Sequence, residues 1–207
     1  IAGMLGRFVG VGAVVSGLFA IKSALLEARL EAERLQAVAY FANNGNVAAA
    51  ARDIEWAKNK ARELGLELMT VSNSWLRFEA SARGSGLTAN QVREIFDALL
   101  KASVSLRMTG AETEDALRAV EQMMSKGNVQ AEELRGQLGE RLPGAFSLAS
   151  RAMGVSEREL SKLLETGQVL ASDFLPKFGA QIVKELGDSP QVAAAGTQAA
   201  INRMENA

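Results

Sequence analysis

The sequence predicts an all-α fold: elongated N-terminal helices or a helical hairpin, then a compact bundle of short helices, with no sheet. Three observations predict it. Apolar residues step by alternating four and three positions across 21–64, the spacing of one buried helix face. Helix-start signatures punctuate the chain from Leu87 to Leu160. No stretch sustains the period-two alternation of branched residues that a half-buried strand needs.

Composition excludes several kinds of chemistry. The 207 residues suffice to bury a core. Lys and Arg number 23 against 24 Asp and Glu, so no basic excess drives the chain toward nucleic acid. Cysteine is absent, which removes disulfides, thiolate nucleophiles and Cys-ligated metals. Histidine is absent too, so Ser-His-Asp and Cys-His catalysis and the HExxH zinc motif are unavailable. Carboxylates, lysine and hydroxyls are what remain. The chain starts at Ile1, and the expectation is a piece of a longer protein with no cofactor or metal.

The elements follow in order. Residues 1–21 form an apolar, Gly-rich segment, with an uncharged run from Phe8 to Ile21 between Arg7 and Lys22. As a helix that run spans about 21 Å, short of the roughly 30 Å hydrocarbon core of a bilayer. Gly6 and Gly10 make a GxxxG pair suited to close helix approach. A buried or self-associating helix is the plain reading, and a membrane-active segment the sharper one.

Residues 22–64 read as a coiled-coil-like helical hairpin. Ile21, Leu25, Ala28, Ala32, Leu35, Ala39 and Ala42 form one seam. After the turn-like Asn43-Asn44-Gly45-Asn46 it resumes at Val47, Ala50, Ile54, Ala57, Ala61 and Leu64. Glu31 with Arg34 and Glu55 with Lys58 sit three apart on the flanks. Gly65 is a fitting stop.

Residues 66–186 read as a compact helical domain. Thr88 and Gln91 spell a capping box, with Leu87 placed to staple onto Val92; Ser156 and Glu159 repeat it, and Thr109 and Glu112 form a weaker copy. Val92, Ile95, Phe96, Leu99 and Leu106 line one helix over 89–106. Ala116, Leu117, Val120, Met123 and Met124 line another over 110–126, where the methionines read as core filler. Gly127 and Gly167 suit helix ends, and Pro143 breaks the pattern after Leu142. Residues 187–207, from Gly187-Asp188-Ser189-Pro190 onward, read as a linker and the start of a further helix.

Several motifs invite a functional reading. Gly10-Val11-Gly12 opens like a dinucleotide fingerprint but lacks the third glycine and the β-α-β frame, and the run from Gly12 to Gly17 has no following lysine for a P-loop. Glu112, Glu114 and Asp115, with Glu132 and Glu133, are the acids a carboxylate-based cell-wall hydrolase would need. Their place in first helical turns, where negative charge meets the helix dipole, accounts for them without catalysis. Residues 148–165 have helix-turn-helix spacing at Ser150, Gly154 and Leu160. The would-be recognition helix opens Glu157-Arg158-Glu159, with only Arg158 and Lys162 to meet phosphate, so a plain helical corner is favoured over DNA binding. No residue is assigned a catalytic, cofactor or metal role.

The run Gln122-Met123-Met124-Ser125-Lys126-Gly127-Asn128-Val129-Gln130-Ala131-Glu132-Glu133-Leu134-Arg135-Gly136-Gln137-Leu138 resembles a hallmark of phage tail tape measure proteins. The likeness continues through Gly139–Phe146, Ala152–Ser156, the Leu160-Leu163-Leu164 helix, Gly167 and Asp173-Phe174-Leu175-Pro176, covering roughly 60–186. It implies a mostly helical structural protein, made in the host cytoplasm and lying in the lumen of the virion's tail. There its length sets tail length, and it helps tail assembly and genome delivery. It also implies tail tube and tail tip proteins and an assembly chaperone as partners, self-association through helices, and host inner-membrane contact through 1–21. No specific nucleic acid is implied. At about 1.5 Å per residue the chain as one helix reaches only about 310 Å, so the intact ruler should be several times longer and this part a docking or initiation domain.

Overall fold

The computed structural model describes residues 26, 29–30, 32–40 and 43–206. The apolar segment 1–21, seam positions Ile21, Leu25, Ala28 and Ala42, and Glu31 lie outside the described residues. Among the described residues the chain is all-α, and extended pairing is confined to an isolated antiparallel bridge between Asn128 and Leu170.

A helical stretch over 32–40 leads into a turn where Asn44 and Gly45 take positive φ, +51° and +82°. Asn43 ties the turn down, donating to Ala39 O at 3.0 Å and to the Asp53 carboxylate at 2.8 Å. Helix α1 (Val47–Leu64) starts where the Asn46 side chain accepts the Ala49 N–H. It stops at Gly65, whose left-handed φ of +66° closes the last turn. Leu35, Ala39, Ala50, Ala57, Ala61 and Leu64 are buried, as the seam predicts. Val47 is 69% exposed, because it opens α1 a turn ahead of the first buried position, Ala50.

The chain continues through α2 (Leu68–Ala82), α3 (Ala89–Ser105), α4 (Gly110–Lys126), a π-helix (Glu132–Gln137), α5 (Leu138–Arg141), α6 (Ala145–Met153), α7 (Glu157–Glu165) and α8 (Ala171–Leu186). Residues 187–207 include two further short helices, α9 (Ser189–Ala194) and α10 (Thr197–Glu205). Helix α2 packs between α1 and α4, while α3 lies along α8 and α6 covers another side of α8. Gly179 lets α8 lie close against α3: a Cβ there would stand 3.4 Å from Ile95 Cα.

Local chemistry explains the boundaries. Thr88 and Gln91 close a full capping box at α3, and Thr109 and Glu112 another at α4. Ser156 caps Glu159 N at α7 at 3.2 Å. Gly127 ends α4 at φ +74°, Gly167 follows α7 at +66°, and Leu142 and Pro143 end α5. Met123 and Met124 are buried core residues. Leu106, expected on the apolar face of α3, is its C-cap and 44% exposed. Pro176 sits inside α8, five residues past its start at Ala171.

The core runs from Leu35 and Ala39 through the faces of α1–α4 to Phe174, Phe178 and Ile182 of α8. At its centre Trp75 and Phe78 meet Phe96 edge-on at 5.2 Å, and Trp56 lies against Trp75 at 4.3 Å. Each such pair adds about 0.5–1.5 kcal/mol beyond simple burial.

Candidate functional site

The segment from Met123 to Ser156 folds around the π-helix, a widened turn that no spacing in the sequence predicts. Leu138 N–H reaches back five residues to Glu133 O, the i→i+5 bond of a π turn. Gly136 and Gly139 weaken the α alternative locally, and the widened turn lets Glu133, Leu134 and Leu138 all be fully buried. The Glu133 carboxylate is held by the Lys126 ammonium from the last turn of α4, which also reaches Gln130 Oε1 at 3.3 Å. That contact raises the Lys126 pKa. Next to it, Val129 N donates to Val169 O at 2.8 Å and Ala171 N to Gly127 O at 3.0 Å, stitching this loop to the start of α8.

Beyond the π-helix an open cleft of about 350 Å³ is lined by Arg135, Gly139, Gly144, Ala145, Phe146 and Glu157. The Arg135 guanidinium stacks 3.7 Å over the Phe146 ring and donates to Ser161 Oγ of α7. Among the described residues, Glu157 is the one carboxylate lining it. Retaining and inverting glycosidases both need two acids facing one cleft.

The acids singled out in the sequence are scattered into separate structural tasks. Glu112 closes the Thr109 box, and the Thr109 N–H bond holds its carboxyl below the ordinary range. Glu114 reaches Arg77 at 3.4 Å, and Asp115 meets Arg141 at 3.0 Å. Glu132 is exposed, and Glu133 is sealed against Lys126. The corner over 148–165 consists of α6 and α7 joined at Gly154, φ +68°. Leu160 and Leu164 of α7 face the core, leaving Glu157, Glu159 and Glu165 exposed with Arg158 and Lys162. An acidic majority on that face repels phosphate.

One constellation escaped the sequence reading. Asp53 of α1, only 4% exposed, and Glu79 of α2 bring their carboxyl groups into contact beneath Arg93 of α3. Arg93 lies 3.5 Å from Asp53 Oδ1 and is braced 5.7 and 6.0 Å over the Trp56 and Trp75 rings. The sign was present: Asp53 falls three residues after Ala50 and four before Ala57, in the rhythm of the seam. An acid on an apolar stripe needs a partner.

Known proteins point the same way as the helical architecture. The family described as tape measure protein matches residues 23–207. A probable tape measure protein of Salmonella phage Felix O1 (isolate Felix O1-VT1) is 38% identical over 138 residues, covering 64% of this chain. The match spans 18% of that relative's length. No solved structure matches the chain.

Proposed function

The chain belongs to the tape measure protein family, and from that premise we propose that it is a folded, non-enzymatic part of a phage tail ruler. In this reading the intact protein lies in the lumen of the tail, where its length sets the number of tube rings assembled. It also helps tail assembly and genome delivery. The family match over 23–207 is the observation that carries it. The chemistry of the surface supports it, since each acid that suggested catalysis is occupied in a cap or an ion pair or stands alone. The 18% share of the relative's length leaves ample chain elsewhere for a ruler shaft, with this compact part serving docking or initiation.

The partners that follow are tail tube and tail tip proteins, an assembly chaperone and further copies of the chain through its helices. Residues 1–21 would supply host inner-membrane contact. Among the described residues no helix is long and apolar enough to cross a membrane.

A ruler makes a linear prediction. In-frame deletions in the helical body of the complete gene, outside this domain, should shorten tails by about 1.5 Å per residue removed. Electron micrographs of the resulting particles measure it. Unchanged tail lengths across a deletion series would refute the ruler.

A further inference from the structure

The contact between Asp53 and Glu79 poses a problem of hydrogen-bond accounting. Two carboxyl groups meet, and Glu79 Oε2 is buried without a donor. Asp53 Oδ2 already accepts from Asn43 Nδ2 at 2.8 Å, and Oδ1 faces Arg93 at 3.5 Å. Two ionised carboxylates have only acceptors to offer each other, and side by side in a partly dry site they repel. A proton between them turns the repulsion into a hydrogen bond. A metal cation suits the place poorly, because the Arg83 and Arg93 guanidinium groups already bring positive charge to this side.

We propose that Glu79 keeps its proton and donates it to the Asp53 carboxylate, forming a pH-sensitive latch that seats α1 and the turn before it on α2 and α3. The groups that face the pair come from each element packed against it. Asn43 comes from the turn, Asp53 from α1, Glu79 from α2, Arg83 from the cap that ends α2, and Arg93 from α3. Burial, then the charge of Asp53 and the contact with it, push the Glu79 carboxyl up to about 7, while Arg83 and Arg93 pull it back. Its pKa is raised on folding, so its contribution is complete below the ordinary value of 4.5. That contribution is lost as pH climbs through about 7. The closed latch is the acid form. Since one proton is released on opening, the opening equilibrium rises by up to about tenfold per pH unit between those limits and levels off above them.

Trp56 and Trp75 are the chain's two tryptophans, and both border Arg93, so intrinsic fluorescence reports on the latch. Emission from the unmodified protein should titrate with a midpoint near the Glu79 value, in parallel with loss of amide protection along α1. Glu79→Gln supplies a permanent donor and should hold emission and protection constant across the same range. Glu185→Gln, on the exposed pair with Arg151, should leave the titration intact. Carbon-detected NMR of the unmodified protein, following the Glu79 side-chain carboxyl, decides the matter even if Glu79→Gln does not fold. A Glu79 carboxyl that titrates below about 5, as ordinary surface glutamates do, overturns the latch. So does a fluorescence transition that survives unchanged in Glu79→Gln.

Discussion

At Gly65 two separate constraints act on one residue. Its φ of +66° lies in the left-handed region, and a Cβ there would stand 2.3 Å from Ala199 Cβ and 2.8 Å from Ala199 Cα. Gly127 has a similar φ, +74°, but among the described residues nothing beyond its own chain neighbours stands within 4 Å of a Cβ there. The pair therefore separates backbone strain from collision. Gly127→Ala should cost about 1–2 kcal/mol, the penalty of placing an L side chain in that region. Gly65→Ala should cost more, because it also drives α10 off the end of α1. Denaturant melts of the two variants measure the difference, and equal losses would mean that α10 yields without resistance.

Among the elements, the helix starts were the most legible part of the sequence, because a cap is written in four adjacent residues. Thr88 with Gln91 and Thr109 with Glu112 form the reciprocal bonds their spacing predicts. The π-helix was not legible, since its widened turn depends on burying Glu133, Leu134 and Leu138 together against α4 and α6. The Asp53–Glu79 contact likewise joins side chains from two helices, and only the place of Asp53 on an apolar stripe hinted at it. The two capping boxes differ in one testable respect. Glu112 accepts as a carboxylate held below its ordinary 4.5, whereas Gln91 has no charge to lose. A depressed acid stabilises above its unfolded value, and that help fades as pH falls through the lower folded one. Amides of the first turn of α4 should therefore lose protection in acid while those of α3 keep theirs. Hydrogen exchange between pH 5 and about 3, corrected for intrinsic rates, reads this out. Equal loss at both helices would mean that Glu112 contributes no more than Gln91.

On the scale of the whole molecule, the fold is closed by contacts between residues about 140 positions apart. Helix α1 ends with carbonyls that its own ladder cannot satisfy, and Glu67, the residue before α2, gives that helix no side-chain cap. Helix α10 supplies both. Asn202 Nδ2 donates to Gly65 O and Asn206 Nδ2 to Leu66 O, each at 2.8 Å, while Arg203 Nε reaches Arg62 O at 2.9 Å. Asn206 Oδ1 in turn accepts Leu68 N–H at 3.0 Å. One asparagine thus serves the end of one helix and the start of the next. Closing a loop of 138 residues is entropically late, because the intervening helices must be in place before the contact is rewarded. Asn206→Ala should therefore act on the unfolding limb. A loss of about 1–2 kcal/mol from the unpaired Leu66 and Leu68 groups should appear as faster unfolding with a nearly unchanged folding rate. Stopped-flow chevrons of the variant and the parent test it. Slower folding with the unfolding rate untouched would place α10 in the folding nucleus, and the helix that closes the fold would then help to start it.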